Sequence, residues 1–262
     1  MGVPDQSTGP SGASPHRRPA THFVGMREKR TMKTTTLAMT AIAIATASAL
    51  ASVSTTSVNR FDLCEYDVAF TGPTSVQNSG PAAGLFDDFT DASYWEGSVG
   101  GSSYADQVTN VGPGVYSGMV DAAANTQGNG FDFSFHGAQS HYEVGFSVSS
   151  ASSYSLTGWV NAWGAINGEY SVADFSLVNT DTSAVIAASS TDTDFLTFDA
   201  SGTLSAGNYA LIADATSWVD RTFATGFGDA TSTVSFELTI VPAPGSAALL
   251  GLGGLLAIRR RR

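Results

Sequence analysis

The side chains able to do chemistry are four tryptophans, two aspartate groups and one histidine–glutamate set. Trp95, Trp159, Trp163 and Trp218 could stack on sugars, whose C–H faces pack on aromatic rings while a polar rim supplies hydrogen bonds. Trp159 and Trp163 share one phase, opposite to Leu156 and Val160. On a strand both therefore point away from the core and form one exposed patch, and exposed aromatic patches mark contact. These two are the candidate carbohydrate-binding residues. The plainer expectation is a strand buried on both faces, or a Trp capping the sandwich.

Asp87, Asp88 and Asp91, and separately Asp192 and Asp194, offer hard oxygen ligands of the kind that suit Ca²⁺. Neither group matches an EF-hand loop, and loop acids are ordinarily just solvated. A structural calcium on Asp87, Asp88 and Asp91 is the one cofactor the sequence suggests. His136, His141 and Glu143 are the only compact set with zinc-ligand chemistry. They are expected to flank a turn at 137–140, with His141 and Glu143 on one strand face. No further ligand completes the set, so a polar strand face is the simpler expectation. Glu143 and Glu169 would serve glycoside hydrolysis if they faced each other across a cleft. The chain has no G-x-S-x-G, no H-E-x-x-H and no phosphate-binding loop. The expectation is a non-catalytic protein, with a carbohydrate-active hydrolase as the alternative.

Period-two alternation supplies the elements that would carry these residues. Val234, Phe236, Leu238 and Ile240 alternate with Ser235, Glu237 and Thr239. The sets Tyr142–Val148, Phe131–Phe135, Tyr154–Val160 and Ala173–Leu177 repeat the pattern. Turn residues separate the runs, and Asn167-Gly168 reads as a hairpin turn between Trp163 and Tyr170. No stretch of the central region shows a 3.6-residue apolar period. The expected fold is all-β: about nine or ten strands over residues 85–240 in an antiparallel, jelly-roll-like sandwich. Residues 202–211 are similar to strand pairs of carbohydrate-binding and other sandwich modules, a pattern many unrelated sandwiches share. Residues 52–84, rich in Ser, Thr, Gly and Pro, read as a linker with one early strand around 66–71. Cys64 is the one cysteine, so no intrachain disulfide forms; it is expected to be a free thiol or an occasional intermolecular link.

Charge is partitioned sharply. Ten of the twelve Lys and Arg lie before residue 34 or after residue 258. Residues 52–240 hold two arginines against 21 acids, a net charge of −19, and no lysine. Such a surface repels nucleic acid and anionic membranes, and attracts divalent cations or simply keeps the protein soluble.

The two ends read as address labels. Residues 1–31 are a polar upstream extension, and translation starting at Met26 or Met32 would make them a start-site artefact. Met32-Lys33 opens a basic-then-apolar signal peptide over 32–51, with small-residue cleavage points at Ala49 and Ala51. At the other end, residues 241–262 join a Pro-punctuated hinge (Val241, Pro242, Ala243, Pro244) to an apolar run, 246–258. Arg259, Arg260, Arg261 and Arg262 follow. As a helix the run spans about 20 Å against a hydrocarbon core of roughly 30 Å, a short transmembrane helix with its arginines on the cytoplasmic side.

This three-part tail resembles the PEP-CTERM sorting signal of exported bacterial proteins, with Ala243 standing where that motif usually has Glu. The resemblance implies an exosortase-like processing enzyme as partner, transient membrane anchoring before cleavage, and an association with exopolysaccharide. It implies nothing about the domain delivered. Together these readings describe an exported cell-envelope or extracellular-matrix protein that acts by adhesion or polysaccharide binding. A self-associating structural surface protein is the third expectation, and nucleic acid is not an expected partner.

Overall fold

The structure, a computed structural model, describes residues 52–69, 71–164 and 168–242. The cleavage points Ala49 and Ala51, the tail residues Ala243, Pro244 and Arg259–Arg262, the signal peptide and the apolar run lie outside these. Among the described residues no helix is long and apolar enough to cross a membrane.

The described residues form twelve strands: β1 Val53–Val68, β2 Thr74–Ser79, β3 Gly84–Glu96, β4 Val99–Gly112, β5 Val115–Asn129, β6 Ser134–Val148, β7 Ser152–Trp163, β8 Glu169–Asn179, β9 Ala184–Thr191, β10 Phe195–Leu204, β11 Gly207–Asp220 and β12 Thr225–Pro242. They build two six-stranded sheets, ordered β2-β1-β6-β11-β8-β9 and β10-β7-β12-β5-β4-β3. Every pairing is antiparallel.

The sheets stack into a sandwich because each buries its apolar alternate residues against the other. Phe236 on β12 meets Tyr142 on β6 at 4.9 Å and Phe175 on β8 at 5.8 Å between ring centroids. Tyr116 stacks on Phe146 at 5.1 Å, and Phe175 on Phe198 at 4.5 Å. Four of the alternating apolar sets face this core as expected, and Val234, Leu238, Val144 and Leu177 are completely buried. The fifth is inverted. Phe131 and Phe133 precede β6, Phe131 is 82% exposed, and Ser134 and His136 take the inward positions instead. Alternation fixes which residues share a face, not which face is inside. Phe133 packs beside Phe223 (5.2 Å), and Phe135 beside Trp218 (6.3 Å) on the outer surface.

The expected linker at 52–84 is corrected by β1, which pairs with β6 along its whole length and with β2 on its other side. Its inward positions run Val58, Arg60, Asp62, Cys64, Tyr66 and Val68, so an arginine, an aspartate and a cysteine at its middle interrupt the apolar alternation. Arg60 fastens the β2–β3 connection. It donates from Nε to the Pro81 carbonyl (3.1 Å) and from Nη1 to that of Gly84 (3.0 Å), beneath the Phe86 ring. The Cys64 thiol donates to the Thr90 carbonyl at 3.2 Å. Its burial raises its pKa to about 11 and keeps it from an intermolecular link.

Asn167 lies outside the described residues, but β7 and β8 do not pair as the expected hairpin. β7 lies between β10 and β12, whereas β8 lies in the other sheet between β11 and β9. The hinge also begins later than 241, since Val241 and Pro242 end β12 opposite Ser153 and Ser152.

Candidate functional site

Outward positions of β7 place Trp159, Asn161 and Trp163 in one row on the second sheet's outer surface. Trp163 is 55% exposed and Trp159 half-buried. Four residues separate them, about 13 Å along a strand. β10 adds Phe195, which pairs in register with Asn161, is 59% exposed, and meets the Trp159 ring at 5.5 Å. Hydroxyl residues border the rings: Thr197 and Ser235 lie opposite Trp159, Thr233 opposite Asn161, and Thr231 opposite Trp163. The result is an aromatic platform with one amide at its centre and a hydroxyl rim. The sequence reading missed Phe195. Its signal was the alternation of Phe195, Thr197 and Asp199 against Phe198 and Ala200.

The same surface continues onto carboxylates. Thr233 Oγ1 donates to Asp121 Oδ1 at 2.7 Å, and Asp121 pairs in register with Asp106 on β4. Burial raises the pKa of both, and Asp106 is raised further by Asp121 and Asp87. Beyond them Tyr104 stacks on Phe89 at 5.7 Å. Trp95, also exposed, lies one residue before the end of β3, opposite Gly100.

Several expected groupings do not converge. Asp87, Asp88 and Asp91 lie on strand β3 rather than in a loop, and period two sends them to different faces. Asp87 and Asp91 are exposed, while Asp88 turns the other way and accepts from Thr90 Oγ1 at 3.2 Å. Among the described residues, no group of three or more His, Cys, Asp or Glu is arranged to hold a metal ion. Asp192 and Asp194 stay in the β9–β10 connection, where Thr193 Oγ1 donates to Asp192 Oδ1 at 3.3 Å.

His136 and His141 are likewise split. The expected turn between them is absent, because β6 runs unbroken and pairs with β1 and β11 there. His136 is buried between the sheets, with Nδ1 3.3 Å from Thr126 Oγ1, and burial lowers its pKa to about 4. His141 faces outward from the first sheet. Its Nδ1 lies 2.6 Å from Asp214 Oδ1, its Nε2 lies 3.8 Å from Glu143 Oε2, and Phe61 stacks on its ring at 4.9 Å.

Glu143 and Glu169 do not face each other. They flank β11 from β6 and β8, in register with its Ile212 and Val219, about 23 Å apart along the strand. Glu169 is held by Arg221 Nη2 at 2.6 Å. Trp218 lies on the other sheet from the remaining tryptophans, stacked on Tyr170.

No protein-family profile and no curated protein matches the chain. Two solved structures of infectious bursal disease virus are similar at 9% identity. For the Gt strain, the match covers 75% of this chain and 66% of that one at a TM-score of 0.16. For the Gx strain, it covers 74% and 65% at 0.13. The chain thus spans about two thirds of those viral chains, and at these scores the likeness carries no argument about fold or function.

Proposed function

We propose that this chain is an exported, non-catalytic polysaccharide-binding protein that uses the Trp159–Asn161–Trp163–Phe195 platform. The observation that carries the reading is this outward row of rings with an amide between them and hydroxyls around them. Rings present apolar faces to sugar C–H bonds, and the polar rim exchanges hydrogen bonds with sugar hydroxyls. The scaffold is a jelly roll. β5-β12-β7-β10 and β6-β11-β8-β9 form its two four-stranded sheets, and β1–β4 widen both. The signal-like N-terminus and the PEP-CTERM-like tail support export, handling by an exosortase-like enzyme, and a final place in the envelope or matrix.

The ligand is a neutral or amino-sugar chain. Arg60 and Arg221 are the only Lys or Arg among the described residues, and both are buried. No exposed arginine or lysine there answers a polyanion, and the acid excess repels one. Affinity electrophoresis against neutral polysaccharides tests this. Trp163→Ala is expected to weaken binding at least about tenfold, as for a central aromatic anchor, with the thermal midpoint nearly unchanged because the ring is mostly exposed. Retention of full affinity would overturn the platform. Release of reducing sugar, abolished by Asp121→Asn, would favour a hydrolase on the same surface.

A further inference from the structure

We propose that the opposite outer face carries a second glycan track, so that one molecule bridges two polysaccharide strands; the bridging rests on the platform reading above. Trp218 on β11 and Tyr170 on β8 stack nearly parallel, with centroids 5.1 Å apart and planes at 19°, and Tyr170 is 40% exposed. Beside them the sheet has a gap. Gly137 stands in register between Glu65 and Trp218, and a Cβ there would come within 3.2 Å of Glu65 Cγ and Phe135 Cζ. The missing side chain leaves a recess lined by Glu65, Gln139, Thr216 and the Trp218 ring.

Further along the same strands a cavity of about 380 Å³ opens among Asp174, Ser176, Ser190, Ile212 and Asp214. Trp218 and Asp214 are four residues apart on β11, about 13 Å. A ring platform and a largely apolar recess, with Asp174, Asp214 and serines as its polar groups, therefore lie on one line, with Gln139 and Thr216 between them. His141 is locked beside the recess by Asp214 and Phe61, and turns Nε2 toward Glu143. Acceptors dominate, and no exposed lysine or arginine among the described residues answers an anion. The track thus suits a donor-rich neutral or amino-sugar chain, as the first face does. Two sheets stacked about 10 Å apart turn the tracks to opposite sides, so one extended strand cannot occupy both without wrapping the molecule.

The test uses the full chain with soluble β-glucan, mannan, galactan and chitosan, and with alginate as the polyanion control. Calorimetry counts sites, and light scattering reads bridging. The parent is expected to show two sites and scattering that peaks at an intermediate protein-to-polysaccharide ratio. Trp218→Ala with Tyr170→Ala should halve the site number and abolish scattering while sparing the first site; Tyr170→Ala alone, at an exposed position, replaces the pair if the pair does not fold. Two sites and undiminished scattering in the folded variant overturn the second track. So does scattering without polysaccharide that the variant loses, which would make this face a contact between copies. One site, lost in Trp163→Ala, also overturns the second track but leaves the first platform standing. One site, lost only on replacing Trp218 and Tyr170, supports the track and overturns the platform and bridging. Binding of none of the five polymers, or of alginate alone, overturns both.

Discussion

Replacing Asp62 by Asn is expected to stabilise the protein by about 4 kcal/mol at pH 8 and to change little below pH 4. Asp62 is completely buried on the inner side of β1, and neither carboxylate oxygen has a hydrogen-bond partner. Ser140, its neighbour in register, spends its hydroxyl proton on the Asp106 carbonyl (3.2 Å). Burial raises the Asp62 pKa to about 7; the nearby Ser140 hydroxyl tempers the shift, and Asp88 and Asp106 add to it. The folded state therefore holds this proton across a range where the unfolded chain, with an ordinary carboxylate, has released it. Stability is lost as pH rises from about 4 to about 7, and the loss is complete above 7. Roughly three pK units at 1.36 kcal/mol each give the predicted figure. Asn keeps the shape and carries no charge. Urea unfolding of both proteins at pH 4, 6 and 8 measures the difference, and a variant less stable than the parent at pH 8 would refute the account.

His136 opposes this slope and makes the test sharper. Its folded pKa of about 4 lies below the ordinary value of 6.5, because burial disfavours the imidazolium. It contributes stability above pH 6.5 that is lost as pH falls toward 4, about 3 kcal/mol on the same conversion. In the parent these two groups pull in opposite directions between pH 4 and 6.5 and largely cancel. Asp62→Asn removes one of them, so relative to the parent the variant should gain stability with each unit of pH through that window. Asp121, also raised by burial, tilts both proteins alike, whereas Asp106 couples to Asp62 and is relieved of that neighbouring charge in the variant, which acts in the same direction as the predicted gain.

These two groups also mark where the fold stopped being legible. The apolar alternations of β12, β8 and the latter half of β6 revealed their inward faces directly, because a strand buried on one side must repeat every second residue. β1 hides for the opposite reason. The middle of its inward face holds Arg60, Asp62 and Cys64, which break the apolar alternation of Val58, Tyr66 and Val68 and weaken the hydrophobic signal along the strand. Phe131–Phe135 shows a different limit: period two was real, but neighbouring rings on the surface gave the aromatic phase somewhere to pack outside. Asn167-Gly168 has good turn chemistry, yet the sheet that β8 joins is decided by β11, some forty residues on. At the site, the outward phase of Trp159 and Trp163 was readable within one strand. Phe195 was not, because it arrives from β10 through register, and the three aspartates of β3 were misread as a loop cluster.

Phe236→Ala carries the other large expected effect, a loss of roughly 3–5 kcal/mol, the range for removing a buried Phe when its surroundings close only partly. Phe236 is 3% exposed and is the ring on β12 that touches both Tyr142 and Phe175 across the sandwich. Truncation removes its own buried surface and two aromatic contacts together. Phe198→Ala should cost less, since that ring is half-buried and stacks on Phe175 alone among the described rings, at 4.5 Å. Urea midpoints order the two variants. A loss below about 1 kcal/mol for Phe236→Ala would mean that the sheets do not depend on this ring. The same variant separates fold from function. Phe236 points inward, whereas its neighbour Ser235 lies outward beside Trp159. Where the variant remains folded, its polysaccharide affinity should match the parent's, because the platform is held by the ladders of β7 with β10 and β12 rather than by this ring.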